Sequence, residues 1–457
     1  MDNRKPALLV TTLGSFLVPM MGSSVNIALP SIGKEFEMDA VLLGWVTLSY
    51  LLSGAIFLVP FGRMADIYGR KKTFLLGFVI YTITSLFCGI ATSPLLLIAF
   101  RVLNGIGTSM SASTGMAMLI SIYPPGERGK VLGINVAAVY SGLSCGPFLG
   151  GLLTQYFGWR SIFLINLPLG LLIIVFTLWK LKGEWIEARG EKFDWIGSTF
   201  FSFALVAIMY GFSTLPGLRG ICFVVFGGFG FFAFVKWEMR TPSPLFEMDL
   251  FSKNKVFAFS NLAALINYSA TFAVSFFMSL YLQFIQGHTP QEAGMVLVSQ
   301  PIMQAIFSPL AGRLSDRIEP RIIASTGMGL TALGLFLLTF LNQGTPVSFI
   351  LVTLALLGFG FALFSSPNTN AVMSSVEKKF YGVASGTLGT MRATGMMFSM
   401  GMAMMIFAIF IGRAQISPAS YPLFMKSMKV AFTISTGLCI AGIFASLSRG
   451  RVRSVQP

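Results

Sequence analysis

The sequence is short of charge. Asp, Glu, Lys and Arg make up 11% of its 457 residues, while 54% are hydrophobic, and the mean hydropathy is +0.77. Soluble domains carry about 25% charged residues. This chain therefore cannot cover a water-facing surface, and lipid must be its main solvent. Histidine and cysteine are also scarce: His288 stands alone, and Cys88, Cys145, Cys222 and Cys439 each lie within an apolar run without CxxC spacing. That composition offers no metal-ligand set and no Ser/His/Asp constellation. With no phosphate-cradling Gly-Lys loop either, an enzyme is excluded and no cofactor is expected. The seventeen acidic residues all fall in loops or at the ends of apolar runs, so mid-membrane carboxylates are missing too.

What remains is a series of apolar runs long enough to span a bilayer, each needing about 20 residues. Fourteen are read at about 7–29, 41–61, 73–91, 94–121, 130–156, 160–180, 194–213, 217–236, 256–284, 291–311, 321–341, 346–373, 381–411 and 426–447. The first is too long for a signal-peptide core and lacks a small-residue cleavage pattern, so it is expected to stay as a helix. The net charge is +15, and the basic residues cluster between the runs. With the N-terminus cytoplasmic, 24 Lys and Arg fall in cytoplasmic segments and 6 in outer ones. That asymmetry predicts an even helix count with both termini inside. It also assigns the positive charge to membrane topology rather than to nucleic acid.

The chain echoes itself. Gly62-Arg-Met-Ala-Asp66 returns as Gly312-Arg-Leu-Ser-Asp316, an offset of 250 residues. Spans 1–6 and 9–14 thus read as two copies of a six-helix unit, a recurrent transporter plan. The expected fold is an all-α integral membrane protein of fourteen helices. Its organisation is a bundle over 1–182, two linker helices over 183–254 and a second bundle over 255–457.

Three motifs carry chemistry. After span 2 comes Gly62-Arg-Met-Ala-Asp66-Ile-Tyr-Gly69-Arg70-Lys71-Lys72. Gly62 is expected to allow close helix approach and Gly69 a tight turn. Asp66 is expected at the positive N-terminus of a neighbouring helix, where a charge contributes about 0.3–2 kcal/mol. With Gly312, Asp316 and Arg317 in the second copy, this loop is the candidate conformational switch; a plain basic loop is the simpler alternative. Span 4 carries Arg101-Val-Leu-Asn104, and a guanidinium within a span costs about 2.5–3.5 kcal/mol. It must face a cavity or a partner, unless it snorkels outward. Span 5 carries Gly142, Gly146, Pro147, Gly150 and Gly151, a close-packing face with a kink point. It is read as a gate helix, with static packing as the alternative. Asn26, Tyr50, Asn104, Asn267, Gln300, Gln304 and Asn368, with Arg101 and Arg392, are the candidate cavity or coupling residues. Such amides could equally glue helices together.

These motifs resemble the major facilitator superfamily, and more closely its fourteen-helix drug:proton antiporter family. The loop after span 2 matches the superfamily's signature loop, and Gly142-x-x-x-Gly146-Pro147-x-x-Gly150-Gly151 matches the antiporter motif. Asn26-Ile-Ala-Leu-Pro30, Gly158-Trp159-Arg160 and Tyr281-Leu-Gln283 match further. Asn104 stands where the family's span-4 motif usually has Gln. The resemblance implies a rocker-switch exporter moving lipophilic compounds outward against protons. Nine residues before Pro30, where family members commonly have Asp, this chain has Met21. With Arg101 and Arg392 as the interior charges, a neutral or anionic substrate is expected rather than a lipophilic dication. Proton coupling would then run through Asp66, Asp194 or Asp316, or be absent. The 45 Phe and 25 Met suit soft, adaptable walls. The expected partners are a small-molecule substrate, protons and membrane lipid, with the chain acting as a monomer.

Overall fold

The computed structural model describes residues 3–241, 244–246, 248–377, 381–412 and 414–450. Of the charges counted above, Asp2, Glu247, Lys378, Lys379, Arg413, Arg451, Arg453 and the Lys130 side chain lie outside the described residues. Fourteen helices are long and apolar enough to cross a membrane. They are α1 (Arg4–Glu35), α2 (Ala40–Tyr68), α3 (Arg70–Gly89), α4 (Pro94–Ile122), α5 (Val131–Phe157), α6 (Arg160–Lys180) and α7 (Trp195–Thr214). Then follow α8 (Leu218–Glu238), α9 (Lys255–Ile285), α10 (Pro290–Arg317), α11 (Pro320–Leu338), α12 (Val347–Ser374), α13 (Tyr381–Phe410) and α14 (Pro418–Ser448). No strand occurs among the described residues.

Several helices run past the apolar segments that announce them, as α1 does to Lys34 and Glu35, because charged side chains are tolerated where a helix leaves hydrocarbon. Helix starts are chemically marked. The Asp39 carboxylate accepts from Leu42 N at 2.7 Å, and Thr289 and Glu292 form a capping box around Pro290. Several spans are irregular, α10 at Val298 among them. α6 breaks at Ile165, and α9 ends in a π-helical stretch, Tyr281–Ile285. We call the end where the chain begins, rich in basic connectors, the basic face, and the opposite end the far face.

The internal repeat is physical. α1 packs on α5 as α9 packs on α13, and α3 on α4 as α11 on α12. Likewise α2 packs on α4 as α10 on α12, and α3 on α6 as α11 on α14. An offset of 250 to 253 residues recurs at close crossings. A Cβ on Gly77 would meet Gly107 O at 2.8 Å, and one on Gly327 would meet Gly360 O at 2.6 Å. A Cβ on Gly105 would meet Tyr50 O at 2.5 Å, and one on Gly358 would meet Gln300 O at 2.1 Å. Lipid supplies no hydrophobic force between helices, so backbone approach through small residues has to hold them together. Two long seams then join the six-helix groups, α2 against α13 and α5 against α10, and α1 meets α9 between them.

Helices α7 and α8 form a hairpin that leans on the first seam. Phe212 of α7 meets Phe398 of α13 with ring centroids 6.5 Å apart, and Met209 packs over Gly401.

Gly77→Val is expected to lower the thermal midpoint of the purified protein by several degrees, since overpacking costs about 1–3 kcal/mol. Gly133→Val, where a Cβ meets nothing within 4 Å, is the matched control. Equal midpoints for the two would show that the crossing is not tight.

Candidate transport site and its gates

Proline in α1 shapes the far face. Pro30 has no N–H, so it cannot donate to Asn26 O four residues earlier. The freed carbonyl accepts instead from Ser279 Oγ of α9 at 2.6 Å, a bond between the two bundles. Gln283 Nε2 donates to Ile27 O at 2.9 Å, and Asn26 Nδ2 reaches Ser275 Oγ at 3.4 Å. Nearby, Ala40 N bonds to Ala414 O at 3.1 Å and Gln415 Nε2 donates to Glu37 O at 2.9 Å. On the second seam, Gly151 leaves room for Pro290 O and Gly294 for Pro147 O, at 2.5 and 2.3 Å from where their Cβ atoms would stand. Asn26, expected in a cavity, sits at this closure. Gly142, Gly146 and Gly150 face α1, whose Phe16, Met20, Ser23 and Ser24 would collide with any side chain there. Ser24 Oγ bonds to Gly146 O at 2.8 Å.

Towards the basic face the bundles meet more sparsely. Tyr140 Oη of α5 lies 3.2 Å from Ser365 Oγ of α12, and Ser385 Oγ of α13 lies 3.3 Å from Met116 Sδ of α4. Around the first contact, Arg392 Nη2 donates to Thr369 Oγ1 at 2.6 Å. The same guanidinium lies 5.8 Å from the Tyr268 ring, which itself stands edge-on to Phe361 at 5.1 Å. Asn267, beside Tyr268, is fully buried, and neither of its amide atoms has a hydrogen-bond partner. Gln304 is buried and Gln300 half-buried on α10.

Arg101 is 1% exposed and satisfied within the first bundle. Its Nε donates to Val46 O at 3.1 Å, and its guanidinium lies 4.2 Å above the Tyr50 ring. Asn104 Nδ2 bonds to Tyr81 O, Thr84 Oγ1 and Ser85 Oγ at 3.1–3.2 Å. Asn368 is likewise packed rather than cavity-lining. It donates to Ser260 O at 3.1 Å and accepts from Arg449 Nη1 at 2.9 Å. Sequence reasoning placed Arg449 among the loop cations. It is 1% exposed, also donates to Pro320 O at 3.0 Å, and burial pushes its guanidinium down to about 10.

The signature loop is held by the connector between α6 and α7. Residues 181–191 cross the basic ends of α2, α3 and α4. Asp66 does not cap a neighbouring helix; its carboxylate pairs with Arg70, one turn on, at 2.7 Å. The carboxylate at the N-terminus of α3 is Glu184, accepting from Lys71 N at 2.7 Å and Lys72 N at 3.2 Å. Gly69, at φ 122°, makes room for it, since a Cβ there would stand 2.6 Å from Glu184 Cδ. Arg70 donates twice to Glu187, at 2.6 and 2.8 Å, and also to Ser121. Lys71 Nζ reaches Leu181 O, and Arg63 pairs with Glu191. Gly62 meets nothing closer than Ser113 Cβ at 3.6 Å, so no close approach depends on it. In the second copy, Gly312 lies beside Ser366 Oγ, Asn370 Nδ2 lies 3.4 Å from Asp316 Oδ1, and Arg317 is exposed at the end of α10.

Burial pushes the Glu187 carboxyl up, but the Ser121 hydroxyl and the Arg70 guanidinium outweigh it and hold it below the usual carboxylate range. A lowered value means that this pairing's contribution to stability is held above the ordinary carboxylate range and lost only as pH falls through the depressed value. Amide protection of residues 181–191 is therefore expected to stay constant from pH 8 to 5 and to fall in Glu187→Gln. A progressive loss between pH 7 and 5 in the native chain would contradict this. At the far face, Ser279→Ala with Gln283→Ala should weaken closure by about 1 kcal/mol in total. Cross-linking of cysteines placed at positions 40 and 414, in a background without the native ones, should slow several-fold. An unchanged rate would remove these bonds from the gate.

Residues 11–251 and 261–456 match the family model for the Major Facilitator Superfamily. The chain is 27% identical to the riboflavin transporter RibZ of Clostridioides difficile over 96% of both chains. It is 32% identical to the multidrug resistance protein Stp of Mycobacterium tuberculosis, covering 85% of this chain and 73% of that one. The tetracenomycin C resistance and export protein of Streptomyces glaucescens is 29% identical, over 83% and 72%. Among solved structures, an inward-facing bacterial homolog of the human lysosomal transporter Spinster superposes with a TM-score of 0.68 at 17% identity, over 98% of each chain. The nucleoside transporter NupG gives 0.63 at 14% identity, over 98% and 99%. Fourteen membrane helices, twelve of them in two repeated bundles, and a family match across nearly the whole length place this chain in the major facilitator superfamily.

Proposed function

We propose that this protein exports amphiphilic, drug-like small molecules across the cell membrane by alternating access, with proton uptake as the counter-flow. The observation that carries the reading is the uneven pair of seams. Hydrogen bonds between the bundles concentrate at the far face, while Tyr140 and Ser385 make isolated contacts towards the basic face. A pair of rigid bundles held at one end is half of a rocking cycle. The basic face is cytoplasmic, with both termini there, and the chain works as a monomer. Two relatives named for drug resistance and export support the class of cargo. The interior supports a neutral or anionic cargo. Among the described residues every acid lies in a connector or within about a turn of a helix end, whereas Arg101 and Arg392 lie inside spans. A proton must then be carried near the cytoplasmic face, by Asp66, Asp194 or Asp316. Asp194 is 9% exposed and accepts from Gly197 N and Trp237 Nε1 at 2.9 and 3.0 Å.

A second reading, a facilitator for one neutral or anionic metabolite, is favoured by the missing mid-membrane carboxylate and by the full-length likeness to a riboflavin transporter. Flux into proteoliposomes separates the two. One proton per cargo should raise steady-state accumulation about tenfold per unit of imposed pH difference, and collapsing the gradient should abolish it. Equilibration of the cargo to the same level on both sides, with or without the gradient, would give the facilitator.

A further inference from the structure

We infer that Arg392, with Tyr268 and Tyr140, forms the recognition subsite of the transport path, and that it takes a planar aromatic compound bearing an anionic group. The inference rests on the reading that the seam between the bundles is that path. Arg392 lies eleven residues into α13, about 16 Å from its basic end, and is partly exposed. Its Nη2 is spent on Thr369, but its Nε is buried with no hydrogen-bond partner. The ion pairs among the described residues do not include it. A guanidinium with an unused donor and no counter-anion is costly in this setting. An incoming carboxylate or comparable anion removes that cost on arrival.

Two fully buried arginines are built differently. Arg101 lies over Tyr50 within the first bundle, and Arg449 is held by Ser260, Asn368 and Pro320 at the end of the second. Both tie helices of one bundle together. Arg392 stands instead where the bundles meet, because Ser365, one turn from its partner Thr369, touches Tyr140 across the seam. The Tyr268 ring lies under the guanidinium and fixes its plane, so a flat aromatic cargo can stack on the guanidinium while its anion pairs. A cationic cargo would meet an uncompensated positive charge. Because the site has a wall from each bundle, an occupant bridging Tyr140 and Arg392 would sense their relative movement.

The test uses purified full-length protein and two probes, a planar aromatic carboxylate dye and its methyl ester. Equilibrium binding in detergent should favour the carboxylate over the ester by about tenfold or more, as expected for a charge-assisted contact. Arg392→Gln should abolish that preference, with carboxylate affinity falling to that of the ester, and Arg392→Lys should restore most of it. Loss of ester and carboxylate binding together, or a preference that survives Arg392→Gln, would overturn the subsite. Flux of the same dyes into proteoliposomes tests the underlying reading separately. Selective binding without transport would sink the exporter and leave the subsite standing; transport without dependence on Arg392 would do the reverse.

Discussion

Ser279 donates its hydroxyl proton to Asn26 O because Pro30 cannot. In water a carbonyl orphaned by proline would find a solvent partner at little cost. In hydrocarbon it must find one within the protein, and here the nearest donor belongs to the other bundle. A single missing N–H in α1 thereby becomes a fastening between two bodies. Gln283 and Asn26 extend the same contact, on a span that ends in a π-helical turn, a geometry often found where helices must yield. Each bond is weak, about 0.6 kcal/mol on average inside membranes. A handful of them can favour one conformation without locking it, which is what a cycling carrier requires.

The glycines set the complementary constraint. Backbone-to-backbone crossings such as Gly77 with Gly107 and Gly327 with Gly360 make each bundle internally stiff. Stiff bundles joined along narrow seams are the parts that the proposed rocking cycle needs, since in it a small bias at one face is passed to the other. The strap over residues 181–191 adds to this rigidity. It ties the basic ends of α2, α3 and α4 together through Glu184, Glu187 and Glu191, and it leads directly into α7. The signature loop is in this way built into the first bundle on three sides.

Much of this was legible in the sequence. Fourteen spans follow from hydropathy, and the 250-residue echo of Gly62–Asp66 in Gly312–Asp316 extends into three-dimensional packing at Gly77 and Gly327. The polar details were harder to read. Asn26 and Asn368 look like cavity amides because composition cannot say which way a helix turns; both are consumed between helices. Arg449 counts as a loop cation until its neighbours Ser260 and Asn368, far away in sequence, come together around it. Glu184 and Glu187 carried a faint signal, a run of acids in a connector facing a basic loop of matching length. The capping role expected of Asp66 belongs to Glu184, since Asp66 precedes the turn at Gly69 while Glu184 folds back over it.

The central claim is that two stiff bundles close at one face as they open at the other. Spin-label pairs at Glu37 with Ala419 on the far face, and at Tyr68 with Ile318 on the basic face, measure both distances in the same lipid preparation. Adding cargo or shifting pH should lengthen one distribution while shortening the other. Two distances that lengthen together, or a far-face distance that changes while the basic face stays fixed, would contradict the account.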